Sequence, residues 1–194
     1  MADSVAMEQK VILREALHRA LKELALKIDG LGEYDIRRPL TPTATNLLGL
    51  VKHVAGVTLG YFSVVFGREV GGDLAMPEDD SDMWVKESET REQILSFLAQ
   101  AEAVADATID ALDLSSPGTV FWWPPDRRTV TLQQILVHVI AEVQRHAGQA
   151  DILRELIDGQ VGRYPGDPSI DDHTPEEWAA RRARIEQAAH AAAA

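Results

Sequence analysis

Along four long stretches of the chain, apolar residues recur at intervals of three and four, and alternation with period two is nearly absent, which predicts an all-α protein. The first stretch runs from about Val5 to Ile28, with Val11, Leu17, Leu21, Leu24 and Ile28 on one face and Gly30 to end it. The second follows a threonine cap, Thr43 or Thr45, and reaches Phe66, where Gly67 closes it; its stripe is Leu47, Leu50, Val54, Val57 and Tyr61. GLGEYDIRRPLTPTAT, between the two, reads as a loop. Thr90 and Gln93 form a capping box for the third, in which Ile94, Phe97, Leu98, Ala101, Ala105, Ile109 and Leu112 continue to about Asp113. The fourth starts near Thr131 and ends at Gly159, with Leu132, Ile135, Leu136, Val139, Val143, Ala150, Leu153 and Ile157 in its stripe.

The connections are long. Residues 67–87 are rich in glycine and acid and read as a mobile loop pinned by Trp84. SSPGTVFWWPPDRRTV leads into the fourth helix; its TVFWW suits a short extended piece, and the adjacent prolines bar it from being a central strand. Thr174, Pro175 and Glu177 supply cap, first position and capping-box acid for an alanine-rich C-terminal helix. The expected architecture is a four-helix bundle over residues 1–160, with 161–194 as a loop and helix appendage. Trp178 and Ile185 on that helix suit a dimer contact or packing on its own bundle.

Three polar residues interrupt the stripes. Glu142 lies three after Val139 and His146 three after Val143, so both face inward on the fourth helix, one turn apart. His53 comes three after Leu50 and four before Val57, on or beside the inward stripe of the second helix. An ionised carboxylate in an apolar interior is costly unless it is paired or coordinates a metal. Two imidazoles and a carboxylate suit zinc and leave a coordination position open; nickel and ferrous iron accept the same ligand types. A buried Glu–His pair held as a structural hydrogen bond satisfies the same spacing, so both readings stand at this point. His138, a turn before Glu142, fits a supporting or structural role better than that of a further ligand, because three ligands from one straight helix drift apart around its axis.

Charge and composition narrow the function. Acidic residues outnumber basic ones by 31 to 19, giving a formal net charge of −12 with the basic residues scattered, which argues against nucleic acid and anionic membranes as partners. The chain has no cysteine, so thiol chemistry requires a thiol from outside. The N-terminus lacks the basic-then-apolar order of a secretory signal, and no run is expected to reach the roughly 18 apolar residues of a membrane span, which makes a cytoplasmic location the expectation.

RRPLTPTATNLLGLVKHVAGV and ILVHVIAEVQRHAGQADILRELIDG resemble the DinB/YfiT-like superfamily of four-helix-bundle metalloenzymes, and most closely its actinobacterial branch of mycothiol-dependent transferases, over roughly residues 5–160. The superfamily's metal site takes a histidine from the second helix and two ligands from the fourth. This pattern falls on His53, Glu142 and His146, the set already reached from burial. The resemblance implies a divalent metal, mycothiol as cosubstrate, an electrophilic small molecule as second substrate, and a homodimer. The chain departs from many close relatives at Gln149, where they carry His, and at Gln133 and Gln134, where they carry Arg-Trp; these changes put the substrate in question.

The leading expectation is a zinc-dependent S-transferase joining a low-molecular-weight thiol to an electrophile. Trp84, Trp122 and Trp123 would wall the pocket mouth, and Arg127 or Arg128 would meet an anionic part of the thiol. The alternatives are a metal-dependent hydrolase, with His138 as its base, an isomerase of the same fold, and a non-catalytic metal- or ligand-binding stress protein.

Overall fold

The computed structural model describes residues 2–68 and 80–193. Six helices appear among them: α1 (Ala2–Ala25), α2 (Glu33–Arg37), α3 (Leu47–Phe62), α4 (Arg91–Ala111), α5 (Leu132–Asp158) and α6 (Pro175–Ala192). A two-stranded antiparallel ladder joins β1 (Pro117–Thr119) to β2 (Thr129–Thr131), with Gly118 opposite Val130. The all-α architecture is the expected one, and α1, α3, α4 and α5 form the bundle. In it α1 packs on α5 and α4, and α3 packs on α4 and α5. Helices α3 and α5 are therefore neighbours, which is what a site shared between them requires.

The stripes become the core. Leu17, Leu21, Leu24, Leu47, Leu50, Val54, Ile109, Leu132, Ile135, Leu136, Val139 and Val143 are essentially inaccessible. Val11 is not: it is 48 % exposed, and Val5, Met7 and Ile12 on the same helix are exposed as well. The run Leu47–Phe66 also differs from expectation, since by length and composition alone it could cross a membrane; it is instead mostly buried among the other helices.

Local chemistry sets the helix ends. The capping boxes at Thr90/Gln93 and Thr174/Glu177 form as expected, a further one not read from the sequence joins Thr131 and Gln134, and Gly159 closes α5 in the left-handed region at φ 79°. The cap of α3 is Asn46, whose Oδ1 accepts from the Gly49 amide at 2.8 Å, rather than Thr43 or Thr45. Those two threonines hydrogen-bond Thr41 in the preceding turn, so their side chains are already engaged. Within the expected loop, α2 is too short to show a period; it forms around the buried Ile36.

Most of the glycine- and acid-rich connection, residues 69–79, lies outside the described residues. At its far end Trp84 is 43 % exposed, and Met83 and Val85 are the residues that pack on the core. TVFWW contributes only Thr119 to the ladder, and Val120 N–H donates to the Arg128 carbonyl beyond it.

At one end of the bundle a buried lysine ties three segments together. Lys27 Nζ, 2 % exposed, donates to the carbonyls of Gly162 and Arg163 at 2.5 and 2.8 Å and pairs with Asp151 at 2.6 Å. Arg154 donates to the carbonyls of Lys27 and Asp29 at 3.0 and 2.8 Å. Helix α6, in contrast, buries none of its described residues.

Candidate metal centre

Helix periodicity places His53 on the face of α3 that meets α5, and places Glu142 and His146 one turn apart on the opposing face of α5. One ligand atom from each lies within 4.8 Å of the other two. His146 Nε2 is 3.0 Å from Glu142 Oε1, and His53 Nε2 is 3.9 Å from the same oxygen. The two imidazoles meet edge to face, with centroids 4.8 Å apart. A tetrahedral zinc with bonds of about 2.0–2.1 Å holds its ligand atoms about 3.3 Å apart, so small side-chain adjustments bring these three into range.

The outward nitrogens are also engaged. His53 Nδ1 lies 2.9 Å from Asp82 Oδ2, and His146 Nδ1 lies 2.9 Å from Gln149 Oε1. An ionised carboxylate only accepts, so Asp82 keeps the hydrogen of His53 on Nδ1 and turns the Nε2 lone pair toward Glu142. His146 is likewise flanked by oxygens at both ring nitrogens. Acceptors converging on one point form a cation site, for a proton or a metal ion, and the donor set of two nitrogens and one oxygen fits a divalent metal.

Two turns along α3, a second polar cluster surrounds Tyr61. His138 Nε2 is 3.0 Å from the Tyr61 hydroxyl, and the indole N–H groups of Trp123 and Trp122 donate to that oxygen at 3.0 and 3.4 Å. Tyr61 and Trp123 each meet the His138 ring edge to face. Moving from His53 to Tyr61 on α3 corresponds to moving from His146 back to His138 on α5, so the two helices run antiparallel here.

Burial pushes the His138 imidazole below its ordinary value of 6.5, and the Glu142 carboxylate opposes this only in part. The neutral ring accepts the Tyr61 O–H. As pH falls the unfolded chain binds this proton before the folded one does. The stability contributed by neutral His138 is therefore complete above 6.5 and is lost as pH falls from there toward the folded value. We expect the His138 ring resonances of the metal-free protein to titrate with a midpoint below 6.5. A midpoint at or above that value contradicts a buried neutral ring.

Of the remaining residues singled out from sequence, Trp122 and Arg127 are exposed, Trp122 lying against Tyr61. Arg128 Nε donates to the Trp123 carbonyl at 2.7 Å and so braces the turn that carries the tryptophans. The Trp84 carbonyl accepts from Lys52 Nζ at 3.2 Å. Sequence reasoning missed Asp82, hidden in an acid-rich loop without periodicity. It read Tyr61 as core only, and Gln149 as a departure without a role.

A family model described as Mycothiol-S-transferase matches residues 12–159, most of the chain and all three residues of the triad. The chain belongs to the mycothiol-S-transferase family. A crystal structure of a conserved protein from Enterococcus faecalis shares the fold of this mycothiol-S-transferase family member, with a TM-score of 0.57 and 20% identity over 77% of this chain and 96% of that one. No curated protein matches the chain by sequence.

Proposed function

We propose that the protein is a zinc-dependent S-transferase that joins a low-molecular-weight thiol, mycothiol, to an electrophilic small molecule. The observation that carries this reading is the convergence of His53 Nε2, His146 Nε2 and a Glu142 oxygen between α3 and α5, in a chain of the mycothiol-S-transferase family. The net reaction consumes the thiol S–H and a carbon–leaving-group bond, forms a carbon–sulfur bond, and releases the leaving group and a proton.

In this reading His53, Glu142 and His146 hold the ion. When bound, it supplies Lewis acidity beside the sulfur, which brings a thiol's pKa down toward neutral pH. The rest of the chemistry belongs to the chain. Asp82 and Gln149 orient the two imidazoles, and Glu142 offsets part of the cation's charge through oxygens committed to it, which leaves it unsuited to act as a base. His138 and Tyr61 hold a hydrogen-bonded pair that begins one turn from Glu142. Trp122, Trp123, Trp84 and the guanidinium groups of Arg127 and Arg128 are the groups we assign to binding the cosubstrates. All of this chemistry falls within residues 1–160, which we take as the catalytic unit, with 161–194 as an appendage. We further propose that the protein works as a cytoplasmic homodimer.

The test is a thiol-consumption assay on zinc-loaded protein with mycothiol and a chromogenic halo-nitroaromatic electrophile. We expect equimolar loss of thiol and appearance of thioether, at least 100-fold faster than the uncatalysed reaction, with the rate lost in metal-free protein. Turnover of ester or amide substrates without thiol instead selects the hydrolase. Zinc binding without turnover of either kind selects the non-catalytic binding protein.

A further inference from the structure

Asp82 reaches His53 from a segment that lies against α3, and one face of that helix is built to receive it. Asn46 caps α3, Gly49 follows three residues later, Lys52 and His53 follow three and four residues after that, and all four engage residues 82–84. Asn46 caps the helix through Oδ1, and its Nδ2 donates to the Met83 carbonyl at 3.2 Å. A Cβ at position 49 would stand 2.0 Å from that carbonyl oxygen and 2.7 Å from its carbon, so the backbone approaches this closely only because the residue is glycine. Lys52 Nζ donates to the Trp84 carbonyl at 3.2 Å and pairs with Glu89 at 2.7 Å. Glu89 in turn accepts from the Lys86 amide at 2.6 Å, and its carboxyl stays below the usual range because these hydrogen bonds outweigh the opposing effect of its burial.

These contacts hold the Met83 and Trp84 carbonyls, in the backbone directly after Asp82, so the position of the Asp82 carboxylate is set by the seat as well as by His53. The two imidazoles of the centre are thus held differently. His146 is oriented by an amide from its own helix, and His53 by a carboxylate from a separate segment.

We propose that Asp82–Trp84 is an integral part of the metal centre: Asp82 is a positioning residue for His53, and seating of this segment on α3 is thermodynamically coupled to cation binding by His53, Glu142 and His146. The proposal rests on reading that triad as a metal site. A carboxylate on the far nitrogen fixes the tautomer and raises ligand basicity, and losing such a partner costs roughly 10- to 100-fold in metal affinity. Coupling is reciprocal, so the cation must steady the segment as much as the segment aids the cation.

The experiment uses zinc ion alone on the full chain, with affinity read by competition against a chelator and amide hydrogen exchange followed over residues 81–86. Asp82→Ala should weaken zinc binding roughly 10- to 100-fold, while the metal-free variant stays helical. Gly49→Ala touches no ligand and adds a residue that favours helix, yet it should weaken zinc binding in the same direction by displacing the Met83 carbonyl. Zinc should slow exchange over residues 81–86 in the native protein, and do so much less in Asp82→Ala. If the native protein binds zinc but Asp82→Ala binds it equally well, the proposal is overturned whatever Gly49→Ala does. If zinc leaves exchange in the segment unchanged, the coupling is overturned. If the native protein binds no zinc, the metal reading of the triad falls and this inference falls with it.

Discussion

Replacing His146 by alanine is expected to abolish stoichiometric zinc binding while leaving a folded, helical protein. The native chain should hold about one divalent ion, measured by elemental analysis, and the variant essentially none after dialysis. Structural zinc sites with four ligands are worth roughly 10–16 kcal/mol, so one ligand accounts for about 3–4 kcal/mol, or roughly 100- to 1000-fold in affinity. His146 is 7 % exposed and its Nε2 is already 3.0 Å from Glu142, so little reorganisation offsets its loss. Ligand linkage offers a second readout. Zinc at 1,000 times its Kd stabilises the native state by about 4 kcal/mol, which for a domain of this size raises Tm by about 8–16 °C, and that increment should vanish in the variant. If neither protein binds a divalent ion supplied in excess, the carboxylate and imidazoles are a structural network and the proposed transferase chemistry is wrong.

The second large effect concerns stability alone. Lys27→Ala should lower stability by about 3–5 kcal/mol, seen as a fall in Tm of about 6–20 °C, with zinc affinity unchanged. The substitution leaves the Asp151 carboxylate without its cation, removes the donor from the carbonyls of Gly162 and Arg163, and opens a cavity where a 2 % exposed side chain had been. Lys27→Met keeps most of the packed volume and should cost less, and the difference between the two variants separates packing from pairing. Asp151→Asn should be milder than Lys27→Ala, because Lys27 retains both carbonyl partners. A loss of under 1 kcal/mol in Lys27→Ala would show that this latch contributes little to holding the ends of α1 and α5 and the following segment together.

Both effects come from polar groups inside apolar surroundings, but they were not equally visible beforehand. Glu142 and His146 stood out because they occupy positions in an otherwise apolar series, and a strict helical period turns such a position inward; His146 is buried there, while Glu142 is half-buried. Lys27 gave no such signal. It lies beside Ile28 in the short 3-10 turn that follows α1, and its burial follows from the return of residues 162–163 over it, a contact 135 positions away in sequence. Asn46 and Thr45 are nearly equivalent as caps by composition. The choice between them was made by Thr41, which engages Thr45, and by Met83, which holds Asn46.

What the sequence determined by itself is whatever depends on local pattern: the four bundle helices, the capping boxes at Thr90 and Thr174, the start of the fourth helix near Thr131, the glycine stop at Gly159, and the inward direction of His53, Glu142 and His146. Period fixes direction because each residue advances a known angle around the helix axis. It carries no information about what lies across the gap. Only the tertiary structure decided that α3 and α5 run antiparallel as neighbours, that Asp82 stands behind His53, that Tyr61 joins His138 to two indoles, and that α6 buries none of its described residues. Those outcomes depend on packing between distant segments, where burial and hydrogen bonding are satisfied collectively rather than residue by residue.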